Sequence, residues 1–245
     1  MIDPDLGRIL KRVRRVVVLT GAGVSAESGI PTFRDASSGL WKRFDPESLA
    51  TPEAFQRDPA RVWEWYAHRR AMAAEASPNP AHRALAEWER RLDGCPVVTQ
   101  NVDGLHQRAG SRDVIELHGS LLRSRCLDPR HPVEEGADAV GVDLPPRCQT
   151  CGGPLRPDVV WFGEALPAGA YEAALAAVAE ADFLLSVGTS SLVQPAASLP
   201  LEALERGVPV VEINIEPTPL TPVADWSLRG TAGEILPRLA AAASS

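Results

Sequence analysis

A short run of amide and acid side chains stands directly after a predicted buried strand at residues 96–99. The run contains Gln100, Asn101 and Asp103. Doubly wound sheets bind their ligands at the carboxyl ends of parallel strands, and a polar cluster at such a position is more often functional than decorative. We therefore expect these three side chains to hold and orient a substrate or cofactor.

A histidine, His118, ends the next predicted strand at residues 114–117, and a glycine follows it. Most single histidines have a structural role. The imidazole titrates close to neutral pH, however, so a histidine at a strand end competes well as a general base. His118 is thus our candidate for proton transfer.

A glycine-rich turn follows the first predicted strand at residues 16–19. Gly21, Gly23 and Ala26 match the GxGxxG/A pattern, in which the glycines make the turn and let the backbone approach a pyrophosphate. A helix starting here would bind phosphate through its free N–H groups. No acidic residue ends a second strand roughly 20 residues later, which disfavours an ordinary nicotinamide dehydrogenase.

Two side chains on a predicted helix at residues 59–76 form a further candidate pair. Tyr66 and Arg69 are three positions apart, so both can point into one pocket. On the surface they would be a solvated aromatic residue and a solvated cation. In a pocket, a guanidinium beside a phenol binds a carboxylate through charge-assisted hydrogen bonds.

Three of the four cysteines lie at residues 123–157, a segment with many prolines and glycines and little apolar content. Such a segment cannot form its own core and needs a metal or a neighbour to hold it. Cys148 and Cys151 have the spacing of a metal-binding pair, and Cys126 precedes them. Cys95 stands before a sheet strand and is expected in the core.

Length and charge narrow the classes of function. The chain has 245 residues, a net charge of −7 and a pI near 5.3. This acidic balance argues against nucleic-acid and anionic-membrane binding. The apolar stretch near the N-terminus is too short for a signal peptide or a membrane span, and four cysteines are too few for a disulfide scaffold. We expect a soluble, cytoplasmic protein.

Predicted strands and helices alternate along the chain. The strands are residues 16–19, 96–99, 114–117, 183–187 and 209–213, and the helices are residues 5–15, 59–76, 79–92, 167–180 and 234–242. This alternation predicts an α/β fold with a Rossmann-type doubly wound parallel sheet. Within a single domain over 1–245, we assign 1–35, 93–122 and 158–245 to that large domain, 36–92 to a helical insert and 123–157 to a small cysteine module.

Six motifs in this chain resemble those of the sirtuin family of NAD-dependent protein lysine deacylases, and they occur in family order. They are GAGVSAESGIPTFRD at 21–35, TQNVDGLH at 99–106, HGS at 118–120, VVWFGE at 159–164, VGTSS at 187–191 and EINIE at 212–216. The resemblance covers nearly the whole chain. It implies a Rossmann-type large domain, a small zinc module with a helical insert, and a cleft between them for NAD and an acylated lysine peptide.

The resemblance also implies a reaction. In the family, the acyl oxygen attacks C1′ of the nicotinamide ribose, and a histidine then acts as base on a ribose hydroxyl; nicotinamide, free lysine and O-acyl-ADP-ribose result. The matching catalytic residues are His118 and Asn101. The residues that match the NAD contacts are Gly21, Ala22, Gly23, Glu27, Phe33, Arg34, Gln100, Asn101, Asp103, Gly188, Thr189, Ser190, Asn214, Glu216 and Ala232.

Acyl selectivity is implied by a second set of matches. Tyr66 and Arg69 match the Tyr-x-x-Arg pair of the family branch that removes succinyl and malonyl groups, and Ala50 matches the small residue that widens the acyl pocket of that branch. Val160 and Phe162 match further substrate contacts. The resemblance therefore implies desuccinylase and demalonylase activity beside deacetylation.

The cysteine module departs from the family pattern. The position three after Cys126 holds Pro129, which has no side-chain ligand. Three thiolates remain for one structural zinc ion, and Asp128 or His131 could supply the fourth ligand. The alternative is a module that has lost its metal and stands by packing alone.

Two other classes of function share part of this site. Mono-ADP-ribosyl transfer or plain NAD hydrolysis would use the same loop and ribose contacts but would not need Tyr66 and Arg69. A non-catalytic NAD- or acyl-lysine-binding module would tolerate the loss of His118. The presence of His118 together with Asn101 and Asp103 argues against that module.

Overall fold

The computed structural model describes residues 2–32, 49–135 and 144–243. Its helices are α1 (Pro4–Leu10), α2 (Pro52–Arg57), α3 (Pro59–Glu75), α4 (Pro80–Glu89), α5 (Leu105–Ala109), α6 (Ala170–Glu180), α7 (Leu199–Glu205) and α8 (Ala232–Ala243). Its strands are β1 (Val16–Thr20), β2 (Val97–Thr99), β3 (Val114–Glu116), β4 (Gly119–Cys126), β5 (Glu134–Glu135), β6 (Leu155–Val159), β7 (Phe183–Val187), β8 (Val210–Asn214) and β9 (Trp226–Arg229). None of these helices has the length and apolar character needed to cross a membrane.

A six-stranded parallel sheet forms the centre of the molecule, with the strand order β3-β2-β1-β7-β8-β9. Counted along the chain, these strands have the order 3-2-1-4-5-6, which is the Rossmann order. The winding direction reverses between β1 and β7. The predicted α/β fold is confirmed, and its ligand-binding crevice is expected where those two strands end.

The central strands are buried because helices cover both faces of the sheet. All five residues of β1 and of β7 are buried, which agrees with their unbroken apolar runs. One face packs against α1, α4 and α8, and the other packs against α6 and α7. Cys95 lies in the first of these two cores, as predicted, and burial raises the pKa of its thiol to about 12.

A second unit is built from the antiparallel sheet β5-β4-β6 and from helices α2 and α3. One apolar cluster joins them, and it includes Phe55 and Trp63 from the helices with Cys126, Leu155 and Trp161 from the sheet side. The predicted helical insert and the cysteine module therefore share a core.

The domain boundaries themselves stay a prediction. Helix α4 falls within the predicted insert at 36–92, yet Ala81, Leu85 and Trp88 pack in the core of the large sheet beside α8. This packing favours assigning α4 to the large domain.

The first glycine-rich turn differs from its prediction. No α-helix starts there; two short 3-10 turns, Ala22–Val24 and Ala26–Ser28, follow β1 instead. Gly29 then adopts a left-handed conformation with φ of 82°, which ends the helical path. A phosphate site at this loop would accordingly use turn N–H groups rather than the dipole of a long helix.

Asn79 connects α4 to this first loop. Its side-chain oxygen accepts from the N–H of Ala81 at 2.9 Å, as expected of a helix cap, and its Nδ2 donates to the carbonyl of Val24 at 2.8 Å. The side chain is 4% exposed. Both bonds are therefore made out of contact with bulk water.

We predict that Asn79→Ala lowers the free energy of unfolding by about 2 kcal/mol, because it removes a helix cap and leaves a buried carbonyl without its donor. Asn79→Ser is the matched control, since it keeps the capping oxygen and loses only the donor. Urea denaturation should place the serine variant between the alanine variant and the wild type. Equal stability of all three proteins would contradict this account.

Candidate functional site

A cleft of about 1300 Å³ lies at the carboxyl ends of the central strands, between the large sheet and the second unit. Most of the predicted cofactor residues line it, namely Gly21, Ala22, Gly23, Glu27, Gln100, Asn101, Gly188, Thr189, Ser190, Asn214, Glu216 and Ala232. The predicted base His118 and the predicted substrate residues Ala50, Tyr66, Arg69, Val160 and Phe162 line the same cleft. Phe33 and Arg34 lie outside the described residues.

Two glycine loops meet at the floor of this cleft. The N–H of Gly23, after β1, donates to the carbonyl of Gly188, after β7, at 2.8 Å. A side-chain carbon on Gly23 would lie 2.7 Å from the Cα of Gly188, and one on Gly188 would lie 2.5 Å from the nitrogen of Val24. These glycines therefore allow one loop to pack on the other.

Asn101 is held from below by a buried polar network. Its Nδ2 donates to the carbonyl of Gly21 and to Oγ of Ser25, both at 3.1 Å. Ser25 in turn donates to Oδ2 of Asp103 at 2.8 Å. The Asn101 amide oxygen is thereby turned away from these contacts.

Asp103 does not line the cleft, although its sequence position predicts a cofactor contact. Its side chain is buried, and its Oδ1 accepts from the N–H of Leu105 at 2.9 Å. Burial raises the pKa of the Asp103 carboxyl, while these hydrogen bonds oppose that rise. In this structure Asp103 supports Ser25, and through it Asn101, from beneath the floor.

His118 has a defined tautomer. Its Nδ1 lies 3.0 Å from the carbonyl oxygen of Gln100, which can only accept, so Nδ1 carries the hydrogen. Nε2 is then the basic nitrogen of a ring that lines the cleft. Burial lowers the pKa of His118, so the neutral form dominates at pH 7. The position and protonation state both suit a general base.

Tyr66 and Arg69 lie together on the side of the cleft that the second unit forms. The Arg69 guanidinium stands 4.8 Å from the centre of the Trp65 ring and 5.2 Å from the centre of the Tyr66 ring. Burial raises the pKa of the Tyr66 phenol, so it stays protonated at neutral pH. The wall thus presents a cation beside a neutral hydroxyl group.

Several residues that line the cleft are not predicted from the sequence. They are Trp65, Trp161, Tyr171, Glu172, Val193, Gln194, Pro195, Gly230 and Thr231. The one signal for Trp161 is its position inside the VVWFGE motif. The residues after β7 and β9 enter the cleft through loops, and no local pattern marks them.

Glu27 has a structural contact besides its place in the cleft. Its carboxylate accepts from the N–H of Gly233 at 2.7 Å. Gly233 stands in the first turn of α8, where backbone N–H groups have no partner within the helix. Glu27 therefore ties the first loop to the last helix.

Four possible metal ligands converge in the second unit. The Sγ atoms of Cys126 and Cys151 are 3.6 Å apart, and Nδ1 of His131 lies 3.2 Å from Sγ of Cys126 and 3.7 Å from Sγ of Cys148. All four donor atoms lie within 4.8 Å of one another. Tetrahedral zinc, with Zn–S bonds of about 2.3 Å, needs donors separated by about 3.8 Å. This donor set fits zinc.

Asp128, the other candidate for the fourth ligand, is directed elsewhere. Its carboxylate accepts from Nε of Arg130 at 2.9 Å, and this guanidinium lowers the pKa of Asp128 to about 2. Its Oδ2 is 4.0 Å from Nε2 of His131, on the far side of the ring from the cysteines. The geometry thus favours His131 as the ligand.

Comparison with known proteins identifies the family of this chain. The model of the Sir2 family matches residues 21–195. The NAD-dependent protein deacylase 2 of Pyrobaculum aerophilum is 55% identical over 243 residues, which cover 96% of this chain and 93% of that protein. A solved complex of a Sir2 homologue with NAD has a TM-score of 0.92 at 49% identity and covers 100% of this chain and 94% of its own. A Sir2 structure with a p53 peptide and NAD has a TM-score of 0.85 at 32% identity, over 98% and 97% of the two chains. The chain therefore belongs to the Sir2 family of enzymes, as its motifs predict.

Proposed function

We propose that this protein is an NAD-dependent protein lysine deacylase that removes succinyl and malonyl groups, besides acetyl groups, from lysine side chains. The observation that carries this proposal is the placing of Tyr66 and Arg69 in the same cleft as His118 and the glycine loops. The deacylase named among the relatives, and the neighbours solved with NAD and with a peptide, support the general activity.

NAD would lie along the carboxyl ends of the central strands. The loops after β1 and β7 offer backbone N–H groups for the phosphates, and Asn214, whose Nδ2 donates to the carbonyl of Thr189 at 2.8 Å, braces the second loop. NAD supplies an activated C1′ for attack by the acyl oxygen. Asn101, fixed by Gly21 and Ser25, is suited to orient that ribose.

His118 would take the proton from a ribose hydroxyl. The Gln100 carbonyl fixes its Nδ1–H, so Nε2 needs neither a change of tautomer nor the loss of a proton before it acts. The lowered pKa keeps the base neutral over the physiological range. As the pH falls through that pKa, the ring becomes protonated and activity should be lost.

We predict that His118→Ala lowers the rate of deacylation by ~10²–10⁴-fold, because the substitution removes the general base. NAD should still bind, because the loops after β1 and β7 are unchanged. In the wild type, the acid limb of the rate profile should lie below pH ~6.5, the ordinary pKa of histidine. Stopped-flow or mass-spectrometric turnover and calorimetric NAD titration measure these quantities. His68→Ala, at an exposed position of α3, is the control; near-wild-type turnover by His118→Ala would exclude the base assignment.

Acyl selectivity follows from the desolvation of a carboxylate. A succinyl or malonyl group must lose water on entering the cleft, and a paired cation makes that step favourable. Arg69 supplies the cation, and the Tyr66 hydroxyl supplies a hydrogen bond beside it. Acetyl-lysine has no carboxylate and gains nothing from the pair.

We predict that Arg69→Met lowers kcat/KM for succinyl- and malonyl-lysine peptides by the equivalent of about 2–5 kcal/mol, and changes the acetyl-lysine value little. Arg57→Met removes an exposed cation from the neighbouring helix α2 and is the matched control. The measurement is kcat/KM on the three peptides. An equal change on all three would rule out acyl selection by this pair.

The second unit would hold one structural zinc ion through Cys126, His131, Cys148 and Cys151. Bound zinc would cross-link β4 to the loop before β6 and so stabilise the core that carries Trp161. This zinc ion would take no part in catalysis, because none of its four ligands lines the cleft.

We predict that the wild type contains one zinc ion per chain, that His131→Ala loses it, and that Asp128→Ala keeps it, since Asp128 pairs with Arg130 instead. His131→Cys supplies a cysteine ligand in place of the histidine and, unlike His131→Ala, should keep the zinc ion. Metal analysis and thermal unfolding measure both the ion and its contribution to stability. Retention of zinc by His131→Ala together with its loss from Asp128→Ala would reverse the ligand assignment.

The rival activities are ADP-ribosyl transfer and NAD hydrolysis, which do not need a Tyr66 and Arg69 pair in the same cleft as the base. The partners we propose are NAD and acylated lysine residues of proteins or peptides, without nucleic acid or membrane. The absence of any disulfide among the four cysteines supports a reducing compartment, and a cytoplasmic location stays a prediction.

A further inference from the structure

Trp161 is fixed in the wall of the cleft by three contacts. Its ring lies against Phe55, with centroids 5.4 Å apart, and the Arg156 guanidinium stands 3.3 Å from its centre. Its backbone N–H donates to Oε2 of Glu164 at 2.9 Å, and Glu164 also pairs with Arg156. The indole is 2% exposed, so both its position and its orientation are determined.

The indole N–H points at the acyl-selective pair. Nε1 of Trp161 donates to the hydroxyl oxygen of Tyr66 at 3.0 Å. An indole nitrogen only donates, so the Tyr66 oxygen is the acceptor in this bond. The Arg69 guanidinium, 5.2 Å from the centre of the Tyr66 ring, likewise has only donors.

The hydrogen of the Tyr66 hydroxyl group finds no acceptor in either neighbour. The indole N–H occupies a lone pair of the oxygen, and neither the indole nor the guanidinium can accept a hydrogen bond. The hydrogen is the group that Tyr66 can offer to a ligand in the cleft. A carboxylate only accepts hydrogen bonds, whereas a neutral acetyl methyl group can take none.

We propose that Trp161 is a positioning residue for acyl selectivity: it orients the Tyr66 hydroxyl as a donor toward the carboxylate of a succinyl or malonyl group. This inference rests on the proposed function. The reason is preorganisation, because a phenol already turned as a donor loses no rotational freedom when the carboxylate arrives. Trp161 itself needs no contact with the carboxylate.

Trp161→Phe tests this role because phenylalanine keeps an aromatic ring against Phe55 and Arg156 but has no N–H. The ratio of kcat/KM for succinyl-lysine to that for acetyl-lysine should fall roughly 3- to 10-fold, the effect of one lost hydrogen bond, mainly through a higher KM for the succinyl peptide. Replacing Trp161 by 3-benzothienylalanine gives a second variant of the same shape, with sulfur in place of the N–H, in case the phenylalanine variant does not fold.

Trp63→Phe is the matched control. Trp63 is 1% exposed, belongs to the same apolar cluster, and donates its indole N–H to the carbonyl of Leu155 at 2.8 Å. This variant loses an equivalent buried bond without touching Tyr66. It should lose stability and leave the succinyl-to-acetyl ratio unchanged.

A double-mutant cycle with Tyr66→Phe decides whether Trp161 acts through the phenol. In the Tyr66→Phe background, removing the indole N–H should cause no further change in the ratio. An equal effect of the Trp161 variants on both peptides, or an undiminished effect without the hydroxyl, would overturn the inference. Failure of the proposed function would appear separately: the Arg69→Met variant would then be as active on succinyl-lysine as the wild type.

Discussion

The close backbone contact between the loops after β1 and β7 is the constraint on which the cleft depends. Gly23 and Gly188 approach so closely that a side-chain carbon on either would overlap the backbone of the other loop. This contact lies where the strand order reverses, so both loops open into one crevice. Asn101 then donates to the carbonyl of Gly21, and His118 donates to the carbonyl of the preceding residue, Gln100, so the base is held relative to the same floor.

The opposite wall depends on a shared apolar core rather than on the sheet. Helices α2 and α3 cannot bury their aromatic residues alone, and the cysteine-bearing strands have too little apolar content to fold alone. Joined, they bury Trp63, Tyr66 and Trp161 beside Cys126 and Cys148. The proposed acyl-binding residue Tyr66 and the candidate zinc site are consequently parts of one packed unit.

Burial gives His118 and Tyr66 the charge states that their proposed roles need. Desolvation lowers the pKa of His118 and keeps it a neutral base, and it raises the pKa of Tyr66 and keeps it a neutral donor. Arg69 remains a cation because a guanidinium does not deprotonate in proteins. The same burial therefore supports both proposed roles, that of His118 as a base and that of Tyr66 as a hydrogen-bond donor.

The sequence by itself determined the sheet, the glycine turn, the family and nearly half of the residues that line the cleft. These features depend on local patterns: apolar runs, small residues at a turn, and polar groups at strand ends. Tertiary structure alone decided the rest. It replaced the expected first helix with 3-10 turns and buried Asp103 beneath the cleft. It brought His131 to the three cysteines, whereas the Asp128 carboxylate pairs with Arg130. It also joined Trp161 to Tyr66, 95 positions apart in the chain, and no local pattern encodes a contact made only when two separate elements pack together.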